Sequence, residues 1–432
     1  MKQPTNQTTE LVRVVGVPGA VLMGLGSILG TGVFVSLGLG AGVVGPAVVL
    51  AVVLAAGVAA CNGLSSAQLA ARHPISGGTY EYGYRELTPA LGFTAGWMFL
   101  CAKSASAATA ALGLAGYVLT ALGLETTMSV RVAMAVGGVV LLTALVAGGI
   151  SASNRVNAVV VSLTLMSLAV FVIGTAPKAA ANASTSFVGF LDWEIRDLLE
   201  ATALMFVAYT GYGRIATLGE EVREPRRSIP RAIVAALLVT MLVYVAVVTV
   251  GVGAVGAEGL AEATVASAAP LEVIARGLDL PVVAWAVALG AITAMVGVLL
   301  NLLLGLSRVL LAMGRRGDMP RGLAAVHAGT ASPARAVLAV GAFIALLALI
   351  GDVSTTWSFS AFTVLVYYAL TNAAALRLPP EARLYPRWIS WVGLASCVGL
   401  AFWVEPRFWI TGLGLIAAGL VWHAFRRSMR SG

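Results

Sequence analysis

Leucine, valine and alanine fill this chain in long runs, each closed by a short polar or glycine-rich connector. A bilayer core takes roughly 17–25 residues of helix to cross, and runs of that length recur from end to end. About twelve can be drawn. They lie near 16–42, 46–70, 90–120, 131–150, 155–175, 197–220, 231–255, 281–313, 335–351, 356–376, 387–404 and 407–425. The pattern predicts an all-α membrane protein with about 12 transmembrane helices.

Two of the runs are interrupted where leucine would be expected. The first reads GLGSILGTGVF over 24–34, and the sixth reads MFVAYTGYGRIATLGEEV over 205–222, with Thr210-Gly211-Tyr212-Gly213 at its centre. One such interruption is explained equally well by a stripe of small residues, here Gly26 and Gly30, at a helix–helix contact. The second changes that balance. Spans one and six are five apart and enter the membrane from opposite sides, as the discontinuous helices of a 5+5 inverted repeat do. Unwinding a helix in hydrocarbon costs several kcal/mol unless protein, water or a ligand satisfies the freed backbone groups. Facing breaks turn that cost into a binding site. Amides and the positive dipole at the start of the second half-helix suit a carboxylate, and carbonyls ending the first half-helices suit an ammonium. An α-amino acid carries both groups.

Composition agrees with the bilayer. Of 432 residues, 59% are hydrophobic and 11% charged, too little charge for a soluble surface. The 49 glycines suit close helix packing and irregular backbone within the membrane. Cys61, Cys101 and Cys397 sit in apolar runs and read as packing residues, so no disulfide framework, metal ligand set or cofactor site is expected. The polar segment Lys2–Arg13 runs straight into a long span, without the pattern of a cleavable signal. Arginine concentrates in alternate connectors, for example Arg223, Arg226, Arg227, Arg315, Arg316 and Arg321, whereas Glu125, Asp192, Glu258, Glu262 and Glu272 mark the others. Positive charge stays on the cytoplasmic side, which places both termini there and the chain in the cytoplasmic membrane. The net charge of +8 thus reports topology and contact with anionic lipid headgroups, and its scatter argues against a nucleic-acid partner.

One charge stands inside a span. Lys103 lies about 13 residues into the third run, close to mid-depth. Snorkelling from there is a long reach, and intramembrane charges are more often functional. A desolvated ammonium gives up its proton more readily, so Lys103 is a candidate for ion coupling, either as a proton site or as a fixed cation in place of sodium. A channel would need a repeated filter or charge rings, a membrane enzyme a nucleophile–base set, and an ATP-driven pump a phosphate loop; the sequence offers none of these. His73, His327 and His423 all lie near or beyond span ends. Substrate charge follows from the acids: no Asp or Glu lies near the centre of a run, and Glu200 is close to the outer end of the sixth. A neutral, small or aliphatic amino acid is favoured over a dibasic one or a polyamine, while import, export and exchange are equally compatible with the pattern.

Four blocks also carry a resemblance. GSILGTGVF, HPISGGTYEYGYRELTPALGFTAGW (73–97), FVAYTGYGRIATLGEEVREPRRSIPRAI (206–233) and GLSRVLLAMGRRGDMP (305–320) resemble motifs of the amino acid–polyamine–organocation (APC) superfamily. The resemblance implies ten core helices in the inverted repeat, two peripheral helices, and alternating access by rocking a bundle against a scaffold. It implies a transport core over 16–376 (halves 16–176 and 197–376), peripheral helices over 387–425, and cytoplasmic tails at 1–15 and 426–432. By the same resemblance the substrate carboxylate meets the amides of Thr31 and Gly32, with Gly30 allowing close approach. The ammonium meets carbonyls at Ile28, Val207, Ala208 and Thr210, and the side chains of Phe206, Val207 and Tyr209 border the pocket or its outer gate. Some proton-coupled relatives carry a lysine in the fifth span. Thr164 stands at that position here, so proton and sodium both remain candidate coupling ions.

Overall fold

The computed structural model describes residues 15–73, 77–149, 154–216, 222–326 and 332–431. Among them the chain is helical throughout, and its one β-type contact is an isolated bridge between Val15 and Val222. Eight described helices are long and apolar enough to cross a membrane. Their outer faces carry large apolar side chains such as Ile173 and Val282, 73% and 77% exposed, which fits contact with lipid rather than water.

Every predicted run is helical over most of its described residues, and the first and sixth are broken. The first comprises α1 (Val17–Ile28), a π-helical turn (Gly32–Ser36) and α2 (Leu37–Val44). Gly45, at φ +63°, and the following Pro46 turn the chain into α3 (Val48–Arg72). A short helix, α4 (Thr79–Glu86), precedes α5 (Pro89–Ala121), α6 (Met128–Ala147) and α7 (Asn154–Ser186). The sixth run comprises α8 (Ile195–Tyr209), a tight turn (Thr210–Tyr212) and α9 (Gly213–Ala216); its last residues, with Glu220 and Glu221, lie outside the described ones. Next come α10 (Pro225–Ser267), α11 (Pro270–Gly277), α12 (Pro281–Arg316) and α13 (Ala334–Ala348). The chain ends with α14 (Val353–Arg377), α15 (Arg387–Ala401) and α16 (Pro406–Ser431).

Helices α7 and α10 run well past their apolar stretches, and the reason is local. At Gly256 (φ +79°) α10 kinks and frees carbonyls on its preceding turn. Asn182 Nδ2 donates to Ala254 C=O and Ser186 Oγ to Gly253 C=O, each at 3.0 Å, both from the polar tail of α7. The short helices α4 and α11 fall in connectors and escape a search for long apolar runs.

Helix α5 is the central post: 89% of its most apolar window is buried, against 22% for α16. Its run of Ala, Ser, Gly and Thr lets neighbours approach closely. A Cβ at Gly116 would stand 2.1 Å from Ser267 C=O. Hydroxyl pairs stitch α5 to α14, with Ser106 Oγ 2.7 Å from Ser360 Oγ and Thr109 Oγ1 2.7 Å from Thr356 Oγ1. Asp352 caps α14, accepting from the backbone amides of Ser354 and Thr355 at 3.1 and 2.8 Å.

Candidate functional site

Helix α1 stops because Leu29 leaves helical geometry (φ −75°, ψ 103°), donating its amide to Leu25 C=O at 2.7 Å. Backbone pairing resumes with the amides of Val33 and Phe34, both on Gly30 C=O at 3.1 Å. Among the described residues the amides of Thr31 and Gly32 have no backbone acceptor, and the Thr31 hydroxyl is buried without a partner. Helix α8 ends in a similar way, with the Thr210 amide and hydroxyl both turned back on Val207 C=O.

The two breaks lie against each other. A Cβ on Gly211 would fall 2.2 Å from Ser27 C=O and 2.6 Å from the Ile28 nitrogen, so only glycine lets the backbones meet. From α10, the Tyr244 hydroxyl reaches between them, 3.1 Å from Ile28 C=O and 3.1 Å from Ala208 C=O. From α14, the Tyr368 hydroxyl donates to Thr210 C=O at 3.1 Å. Lys103, buried on α5, donates its Nζ to Thr210 Oγ1 at 2.6 Å; among the described residues no carboxylate pairs with it.

A void of about 40 Å³ sits between the breaks, lined by Ile28, Thr31, Gly32, Val207, Ala208 and Thr210, with Lys103 beside them. Val298, Leu302 and Trp357 complete its apolar wall. It adjoins a vestibule of about 760 Å³ that shares Ser27, Lys103, Thr210, Gly211, Val298 and Leu302 with it and is also lined by Arg308 and Arg315. Three expected residues stay off the void. Gly30 is packed so that a Cβ would meet Val298 Cγ2 at 2.7 Å. Phe206 turns edge-on to Tyr368, with ring centroids 5.6 Å apart, and Tyr209 donates its hydroxyl to Val52 C=O at 3.2 Å. Neither aromatic borders the void: within α8 the helical phase turns Val207 and Ala208 toward it and Phe206 and Tyr209 to other faces.

The family profile of amino acid permeases matches residues 19–430. The chain belongs to that family. It is also similar to an uncharacterized transporter of Mycobacterium tuberculosis, with 41% identity over 98% of this chain and 93% of the relative. A branched-chain amino acid permease of Bacillus subtilis is 28% identical over 97% of this chain and 92% of its own length. A vacuolar cationic amino acid transporter of Arabidopsis thaliana is 27% identical over 86% and 64%. Family and relatives are transporters, in agreement with the exclusion of an enzyme.

The mouth of the permease is framed by α4, whose Tyr80 and Glu81 line the vestibule. Glu81 pairs with Arg316 at 2.6 Å, and the Arg316 guanidinium lies over the Tyr84 ring at 4.0 Å. Tyr80 and Tyr84 both donate to Asp318 Oδ2 at 2.7 Å. Burial, and then that hydrogen bond, hold the Tyr80 phenol above its ordinary pKa. Trp422 Nε1 and Arg426 Nη2 reach the carbonyls of Asp318 and Met319 at 2.8 and 3.3 Å, tying α16 to the same place. His73 pairs with Glu86 at 2.6 Å, away from the breaks, and Asn301 lines the vestibule.

Sequence reasoning missed Tyr244, Tyr368, Trp357, Val298 and Leu302. The last two are one turn apart on an apolar helix and carried no signal. Ser106, which also lines the void, was reachable, one turn beyond Lys103 on α5.

Proposed function

We propose that this permease is a secondary active transporter of neutral, small or aliphatic amino acids, working by alternating access in a 5+5 inverted repeat with two peripheral helices. The observation that carries the reading is the facing pair of broken helices, joined through Tyr244 and Gly211, with Lys103 directed at the second break. In this reading the unpaired amides at Thr31 and Gly32 receive the substrate carboxylate, and the ammonium is drawn to the carbonyls of Ile28, Val207, Ala208 and Thr210. Val207, Val298, Leu302 and Trp357 then surround the side chain, which favours an aliphatic one.

The vestibule walls carry Lys103, Arg214, Arg308, Arg315 and Arg316 against Glu81, a balance that repels a dibasic substrate or polyamine. With arginine on the cytoplasmic face and both termini cytoplasmic, the vestibule opens inward. A void of about 40 Å³ holds little more than one water, so substrate entry widens the gap between the breaks. Lys103 bonds to the broken helix itself, so loss or gain of its proton would be felt at Thr210, where coupling to a proton gradient would act.

The test is reconstitution in liposomes with radiolabelled L-leucine, L-alanine, L-lysine and L-glutamate under imposed proton or sodium gradients. Accumulation of leucine or alanine driven by a proton gradient is expected. Carriage of lysine alone would overturn the substrate class, and a response to sodium alone would overturn the coupling.

A further inference from the structure

The four carbonyls assigned above to the substrate ammonium are already engaged. Val207 C=O accepts from the Thr210 hydroxyl at 2.7 Å, and Thr210 C=O accepts from Tyr368 at 3.1 Å. Ile28 and Ala208 share Tyr244. An arriving ammonium therefore exchanges with protein donors rather than filling open acceptors.

Of those donors Tyr244 is the exposed link in the chemistry. A phenol has one proton, so at any instant it serves one carbonyl fully or both partially, and both distances sit at the long end of the hydrogen-bond range. An ammonium has three protons and a charge, and it outcompetes a phenol for the same pair. Tyr244 is also placed by design of its surroundings. Its ring is fully buried against Tyr209 at 5.1 Å between centroids, and a Cβ at Gly32 would stand 2.6 Å from its oxygen. The glycine that exposes an amide to a carboxylate also makes room for this hydroxyl.

We propose that Tyr244 is a positioning residue of the transport cycle: its hydroxyl holds the carbonyls of Ile28 and Ala208 while the site is empty and yields them to the substrate ammonium. The empty carrier can then close and return without leaving two buried carbonyls unpaired, and the loaded carrier uses the substrate for the same purpose. This rests on the assignment of the breaks as the amino acid site.

The decisive comparison is net uptake against exchange in proteoliposomes, using radiolabelled L-leucine. Net uptake requires the empty carrier to return; homoexchange does not. Tyr244→Phe keeps the ring and removes the proton. Net uptake should fall about tenfold or more, as expected for an unmade bond to a buried carbonyl. Homoexchange should stay within about twofold of wild type, and half-saturation should shift to lower leucine, since the competitor for the ammonium is gone. A parallel fall in both modes, or no change in either, overturns the proposal. The wild-type protein gives a second reading that does not depend on the variant folding. Isocaproate, the leucine skeleton without its amine, should compete with leucine yet fail to stimulate leucine efflux from the other side, because nothing displaces Tyr244. Stimulation equal to that by leucine overturns the proposal. Gly32→Leu separates the two levels: if it exchanges leucine normally, the site assignment itself is wrong, whatever Tyr244 does.

Discussion

Replacing Gly211 with alanine is the smallest change that forces the two broken helices apart. The added Cβ would sit 2.2 Å from Ser27 C=O and 2.4 Å from its carbonyl carbon, where ordinary contact begins at 3.4 Å. Both neighbours are backbone atoms, so no side-chain rotation relieves the overlap. The breaks have to separate by about 1.2 Å, the difference between those distances. Hydrogen bonds of ~2.9 Å spanning the gap become contacts of ~4 Å, which are no longer hydrogen bonds. A substrate ammonium bridging the two half-helices then keeps its bonds to one of them only. Hydrogen bonds to a charged group contribute about 1.5–3 kcal/mol each, so losing two weakens binding by about 3–6 kcal/mol, or two to four orders of magnitude. The assay is equilibrium binding of radiolabelled L-leucine to purified protein, with size-exclusion profile and helical content as checks on folding. Gly57→Ala serves as control, because a Cβ there meets nothing within 4 Å. A folded Gly211→Ala protein that binds leucine as wild type does would refute the reading of the breaks as a shared site.

Three further outcomes are expected. Lys103→Ala should abolish gradient-driven accumulation while counterflow persists, and Lys103→Arg, which stays charged, should fold but lose its response to a proton gradient; accumulation by Lys103→Ala with unchanged pH response would make Lys103 structural. In a background without the three native cysteines, Glu262→Cys should react with an impermeant thiol reagent on intact cells and Arg227→Cys should not, since both positions are exposed and lie on opposite faces in the assigned topology; the reverse pattern would invert every half-helix. Glu272, in the connector helix α11, is fully buried with Oε2 unpartnered, and burial raises its pKa against the opposing pull of Arg276. A carboxyl that binds its proton more tightly when folded stabilises most below the unfolded pKa, and that stabilisation fades as pH rises through the folded one. Glu272→Gln should therefore raise Tm at about pH 8 more than at about pH 4, a difference readable by thermal unfolding in detergent; an equal shift at both would remove the charge from the explanation.

The broken helices were legible because glycine and hydroxyl residues are conspicuous against leucine, and the bilayer makes freed backbone groups expensive. That argument marked the interrupted stretches over 24–34 and 205–222, while the individual residues Thr31, Gly32 and Thr210 came from the family resemblance. It gave no orientation for side chains one residue away, and Phe206 and Tyr209 turn from the void into packing with Tyr368 and Val52. Tyr244 stayed invisible for a related reason: a tyrosine in an apolar run looks like any buried aromatic until its hydroxyl is seen between two helix ends. The unusual depth of Lys103 could be read from its position, whereas its partner, 107 residues further along the chain, could not. The lengths of α7 and α10 depended on Asn182 and Ser186 meeting the carbonyls freed at Gly256, a tertiary event that hydropathy does not encode.

The tie between α16 and Asp318 has a practical bearing on how this protein is handled. The family resemblance makes the last helix peripheral, the natural place for an affinity tag, a fluorescent fusion or a truncation. Yet Trp422 and Arg426 grip the same short loop that receives Tyr80 and Tyr84, so the last ten or so residues are mechanically part of the mouth. Anything that pulls on or removes that end transmits force to the α4 rim, and kinetic constants measured on C-terminally modified protein will include that load. An amino-terminal handle bears on a different contact, the bridge between Val15 and Val222.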